Sequence, residues 1–235
     1  MRNLTLHDRP KLLMLSHALP RQTVGNADAS PNRRAWQLLS LAHRTHNIYL
    51  AAVADGPVNL SHWRAAKAVA SQIVLIPSRT GILRWLSARH LPITSARQNA
   101  ALTAVTREWS ALHAFDMVLC TEPGLLDQAA LVDGAMRILD LAATQMVDET
   151  PRVILPQLRR RRKASQLANL EQRCIRLSDA WITTSEQHAA TFQGRLHPRL
   201  VLDRHRDVMS CDTLAQILPG ELHLPTETVP IARAA

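Results

Sequence analysis

Lys11–His17 reads KLLMLSH, an apolar run too short to span a membrane and too uniformly apolar for a half-exposed strand. Five more runs of the same kind follow: Ile48–Ala54 (IYLAAVA), Gln72–Pro77 (QIVLIP), Phe115–Thr121 (FDMVLCT), Met136–Leu141 (MRILDL) and Ala180–Ser185 (AWITTS). Helical patterns separate them. Strands covered on both faces read this way, because crossover helices shield both sides of a parallel sheet. The expected fold is therefore α/β: a doubly wound, mostly parallel sheet with helices on both faces. Such sheets bind their ligands beyond the carboxyl ends of the strands, so function is expected there.

The segments between the runs support this order. Ala18–Ala29 is a polar loop holding Gly25, and Ser30-Pro31 supplies an N-cap and a first-turn proline. Ala35, Leu38, Leu39 and Ala42 then recur at helical spacing, with Trp36 alongside. Asp55-Gly56-Pro57 is a turn, and helices are expected over Ser61–Ser71 and Gln98–His113, with one helical turn over Asp127–Val132. Arg79–Asn99 is basic and apolar, divided by Pro92. A long helix over Leu158–Leu177 opens with Arg159, Arg160, Arg161, Arg162 and Lys163 and becomes amphipathic through Leu167, Leu170, Cys174 and Leu177. Thr184–Gln187 is a T-x-x-Q capping box. Residues 1–202 form the expected domain; 203–235 are a tail cut by Pro219, Pro225 and Pro230, with one helix near Cys211–Leu218.

With 235 residues and 46% apolar content, the chain can bury a full core. Its formal net charge of +9, with Arg heavily outnumbering Lys, implies an anionic partner. Nucleic acid is disfavoured: aromatics make up 3% of residues, and no basic stretch interleaves with rings that could stack bases. Cys120, Cys174 and Cys211 are an odd count without C-x-x-C spacing, as expected of buried thiols in a reducing compartment. The expected location is cytoplasmic, with peripheral contact at the inner face of the membrane.

Missing motifs narrow the chemistry. The chain has no G-x-G, so the dinucleotide fingerprint is absent from a Rossmann-like strand pattern, and it has no P-loop and no G-x-S-x-G elbow. Eleven histidines contain no H-E-x-x-H, and His43 with His46 at a helix end reads as a solvated pair. No metal and no cofactor are expected.

Four pieces carry a family resemblance: LLMLSHALP (Leu12–Pro20), NRRAWQLLSLAHRTHNIYLAAV (Asn32–Val53), FDMVLC (Phe115–Cys120) with MRILDL, and LEQRCIRLSDAWITTSEQHA (Leu170–Ala189). The last is the most specific, with a helix glutamate, an Asp-Ala step into a strand and a terminal Ser-Glu. Over roughly residues 11–202 the chain resembles the N-terminal, acceptor-side domain of GT-B-fold glycosyltransferases, most closely the family-four-like bacterial sugar transferases of exopolysaccharide assembly. Three departures stand out, one being that of the aspartates the family spaces along the end of strand five this chain keeps Asp140 but has Ala143 farther on. Ser30-Pro31 replaces the family's glycine before the loop arginine, with Gly25 displaced. No two glutamates have the E-x(7)-E spacing of the family's donor-binding domain.

The resemblance implies a nucleotide sugar as donor, a lipid-linked acceptor and a cleft in which basic groups meet the donor phosphates. Gly25, Ser30, Arg33 and Arg34 are the candidates for that contact beyond the first strand, and Ser185 and Glu186 beyond the sixth. Glu122 and Asp140, at the ends of the fourth and fifth strands, are the candidate catalytic or acceptor-binding carboxylates. Arg159–Lys163 is the candidate contact with an anionic membrane surface. The implied function is an acceptor-side glycosyltransferase domain in polysaccharide or glycolipid assembly, completed by a separately encoded donor-domain protein. The alternative is a non-catalytic scaffold or binding subunit, or a truncated remnant, that keeps the fold.

Overall fold

The computed structural model describes residues 9–22, 31–54, 58–77, 96–141, 169, 172–183 and 199–202. Seven strands lie in one sheet: β1 (Lys11–Ser16), β2 (Asn47–Ala54), β3 (Gln72–Pro77), β4 (Met117–Cys120), β5 (Met136–Asp140), β6 (Ala180–Thr183) and β7 (Arg199–Leu202). Their order is β3-β2-β1-β4-β5-β6-β7, and every neighbouring pair is parallel. The helices are α1 (Pro31–Ala42), α2 (Leu60–Val69), α3 (Ala96–Leu112), α4 (Leu126–Ala129, entered through a 3-10 turn at Pro123–Leu125) and α5 (residues 172–177). The fold is the expected doubly wound α/β architecture of Rossmann-like type. The six expected strands are all present, and β7 adds a seventh.

Period-two alternation divides each strand between two cores. Leu12 and Met14 of β1, Leu50 of β2, Leu119 of β4 and Ile182 of β6 face Ala35, Leu38 and Leu39 of α1 and Ala66 of α2. Leu13 and Leu15, Val53, Val118 and Trp181 face the other way, toward Leu102 and Trp109 of α3 and Leu126 of α4. Both faces are therefore dry, which explains why the sequence shows continuous apolar runs rather than alternation.

Strand entrances share one device. Asp116, just before β4, accepts from the backbone N–H of Lys11 at 2.7 Å, while its own N–H donates to the Lys11 carbonyl at 3.0 Å. Asp179, just before β6, does the same to Arg137 of β5, at 2.8 Å in each direction. A parallel ladder leaves an N–H near the start of a strand without a ladder partner, and the aspartate supplies one. The Asp-Ala step into β6 thus has a structural cause. Gly134, with φ 73°, turns the chain into β5 in a conformation that side chains other than glycine's resist.

One expectation is corrected here. His43 and His46 are not a solvated pair: His46 is buried, and its Nδ1 lies 2.7 Å from Thr45 Oγ1. Burial lowers its pKa below 6.5, against opposing contributions from Asp116 and the Ala42 carbonyl. Just after it, at the start of β2, the Asn47 N–H donates to the Pro10 carbonyl at 2.9 Å.

Candidate functional site

The strand order reverses between β1 and β4. From β1 the chain winds outward through β2 and β3, and from β4 it winds the other way through β5 to β7. Loops leaving β1 and β4 must diverge there, and open α/β sheets take their ligands at such a point, beyond the carboxyl ends of the strands. The register aligns Leu15 with Cys120 and Cys120 with Leu139, so Ser16, Thr121 and Asp140 follow in one row at that edge.

Ser16 shapes the first loop. Its hydroxyl donates to the Ala18 carbonyl at 2.7 Å and accepts from Thr121 Oγ1 at 3.4 Å, joining the ends of β1 and β4. His17 emerges from that turn, and its Nε2 stands 3.3 Å from Glu122 Oε2, without hydrogen-bond alignment between the two. Glu122 is extended, and its carbonyl accepts from Leu125 N–H at 3.1 Å to start the 3-10 turn. A methyl group on Gly124 would lie 3.4 Å from His17 Nε2, so this loop rests against the imidazole. The side chains of His17 and Glu122 are 13% and 23% exposed, whereas Ser16, Thr121 and Asp140 lie behind them, buried.

The same edge holds a buried ion pair. Arg34, in the first turn of α1, donates from Nε to Asp140 Oδ2 at 3.2 Å and from Nη2 to Oδ1 at 3.5 Å, a fork across 106 residues. Arg34 is 8% exposed and Asp140 fully buried. The first loop also packs on α1, with Arg21 N–H donating to the Asn32 carbonyl at 3.2 Å. Two cations at the positive end of a helix are unfavourable, and the Asp140 charge offsets that of Arg34.

Four of the expected site residues fall among the described ones. Arg34 and Asp140 meet each other, Glu122 meets His17, and Arg33 sits half-buried one position around α1 from Arg34. Gly25, Ser30, Ser185, Glu186 and Arg159–Lys163 lie outside the described residues. The sequence reading missed His17, because it screened histidines for metal spacing; the available signal was a titratable residue directly after the first strand. Cys120 also ends a strand at this edge, yet it faces the α3 side, its thiol is directed to the Leu125 carbonyl, and burial pushes its pKa far up. A protonated, buried thiol is not a nucleophile. Among the described residues, no three His, Cys, Asp or Glu side chains are grouped as a metal set, and no helix is long and apolar enough to cross a membrane. Compared with known proteins, the chain matches no protein-family model, and no curated protein matches it.

Proposed function

We propose that the chain is a glycosyltransferase-like acceptor-side domain, with the carboxyl edge between β1 and β4 as the seat of the acceptor. The observation that carries this reading is the pairing of His17 with Glu122 at the point where the strand order reverses. A carboxylate there accepts hydrogen bonds from acceptor hydroxyls, and the neighbouring imidazole orients them or takes up a proton. Polysaccharide or glycolipid assembly, a nucleotide-sugar donor and a lipid-linked acceptor at the inner membrane face belong to the same proposal, which the four family-like segments support.

No pair of glutamates in the chain has the E-x(7)-E spacing, so the test adds a donor half in trans. The purified chain should transfer no sugar from a nucleotide sugar, and transfer should arise when a protein supplying the donor domain is added. Robust turnover by the chain by itself overturns the division of labour. Silence with every donor-domain protein tested overturns the enzymatic reading. A second reading, a binding or scaffold subunit, draws support from one observation: Asp140, one of the two candidate catalytic carboxylates, is held in the fork of Arg34.

A further inference from the structure

A cavity of about 400 Å³ lies at the opposite, amino edge of the sheet, between the last turn of α3, the loop into β4 and the turn before β5. Small-molecule sites typically enclose about 300–1,000 Å³. Leu112, at 67% the most exposed large apolar side chain among the described residues, lines it together with half-buried Leu131 and buried Phe115. Alone on a flat surface such a leucine calls for no explanation, but on the wall of a cavity it offers a ligand apolar area to bury. The wall is braced from below. His113 lies against Tyr49 with ring centroids 4.6 Å apart, and Phe115 meets Tyr49 edge-on at 5.2 Å.

The charge on this wall has one sign. A helix ends in carbonyl groups without intrahelical partners, the negative pole of its dipole. α3 has no basic residue in its last turn to offset that pole. Asp133, on the turn that Gly134 closes, is exposed and makes no hydrogen bond or ion pair among the described residues. No Lys or Arg is among the described residues lining the cavity, and one turn back on α3 Arg107 and Glu108 are opposite in sign. A metal ion fits poorly, since one carboxylate does not supply the several oxygen ligands a hard cation takes.

We propose that this cavity binds an organic cation, a protonated primary amine on an apolar stem. Its N–H groups donate to the Asp133 carboxylate and to the carbonyls that end α3, and its stem packs on Leu112, Leu131 and Phe115. The site is separate from the edge at which the glycosyltransferase reading seats an acceptor, and it stands or falls independently of that reading. A free alkylamine and a lysine side chain of a partner protein present the same chemistry.

The test is a backbone and imidazole NMR titration of the full chain with n-butylammonium, n-butanol and butyrate at matched ionic strength. n-Butylammonium should shift resonances of Leu112, His113, Leu131 and Asp133 saturably, and butyrate should leave them in place. n-Butanol should bind there about fivefold more weakly, a modest factor because water screens an exposed carboxylate. Asp133→Asn should weaken n-butylammonium about three- to fivefold and leave n-butanol unchanged. Leu112→Ser should weaken both. Each replaced side chain is exposed, so both variants should keep the circular dichroism of the wild type. Nα-acetyl-lysine methylamide separates the two sources: tighter binding than n-butylammonium identifies a lysine of a partner, and weaker binding a free amine. Equal affinities for n-butylammonium and n-butanol overturn the proposal. So does an Asp133→Asn variant that holds the amine as tightly as the wild type, or a titration in which the amine moves neither His113 nor Asp133.

Discussion

His46 shows how one side chain ties stability to pH. Its folded-state pKa lies below 6.5 because burial penalises the imidazolium, while the unfolded ring titrates near the ordinary value. The unfolded state therefore binds more protons between those two values, so stability is full above about pH 6.5 and falls as the pH drops through that window. Urea denaturation at pH 7.5 and 5.5 should show a smaller acid loss in His46→Gln than in the wild type. An identical loss in both would mean that His46 is not the titrating group. The same burial explains why the sequence misled at this position: two histidines three apart look solvated at a helix end until the fold buries one of them. His17 is the converse case, ordinary in sequence and significant only because Glu122, 105 residues on, comes to it. Residues of one type differ here by the partners the fold brings, and spacing along the chain does not encode those.

At the level of elements, strands and helices were largely legible, because burial on both faces demands uninterrupted apolar runs and cores on two sides demand helical stripes between them. β7 was not, since Arg199–Leu202 is four residues opened by a charge and follows Pro198, too short for its period to declare itself. The link between α1 and β5 was equally hidden: Arg34 and Asp140 each read as ligand-binding groups, and each turns out to satisfy the other. Arg34→Leu takes a hydrogen-bonded cation away from a buried carboxylate, so it should cost about 3–5 kcal/mol in urea denaturation. Arg34→Leu combined with Asp140→Leu should recover much of that loss. A single variant as stable as the wild type would show that the fork does not tie α1 to the sheet edge.

For the molecule as a whole, charge and fold are separate properties: the sheet is apolar on both faces, and the surplus of arginine has to act elsewhere. The run Arg159–Lys163 belongs to the membrane part of the proposal, and its test is independent of the carboxyl edge. The protein should bind vesicles containing anionic lipid at low salt and leave them at high salt, since exposed charges are screened over about 8 Å at physiological ionic strength. Replacing the five residues by alternating Gln and Ser should abolish that binding with the circular dichroism unchanged. Equal binding by both proteins would reduce the run to a solvated face. The strand order also governs how the molecule is made. β1 precedes the other strands in the chain and lies inside the sheet, with β2 on one flank and β4 on the other. A nascent chain can lay β2 and β3 beside it early, yet the opposite rim of β1, with its unsatisfied amides and its apolar side chains, stays open until Met117–Cys120 has left the ribosome. Native pairing at that rim closes a loop of about a hundred residues, a slow, entropically costly step. Until then the growing chain is a half-sheet with a sticky edge, and its yield in a cell will depend on how well that edge is shielded during translation.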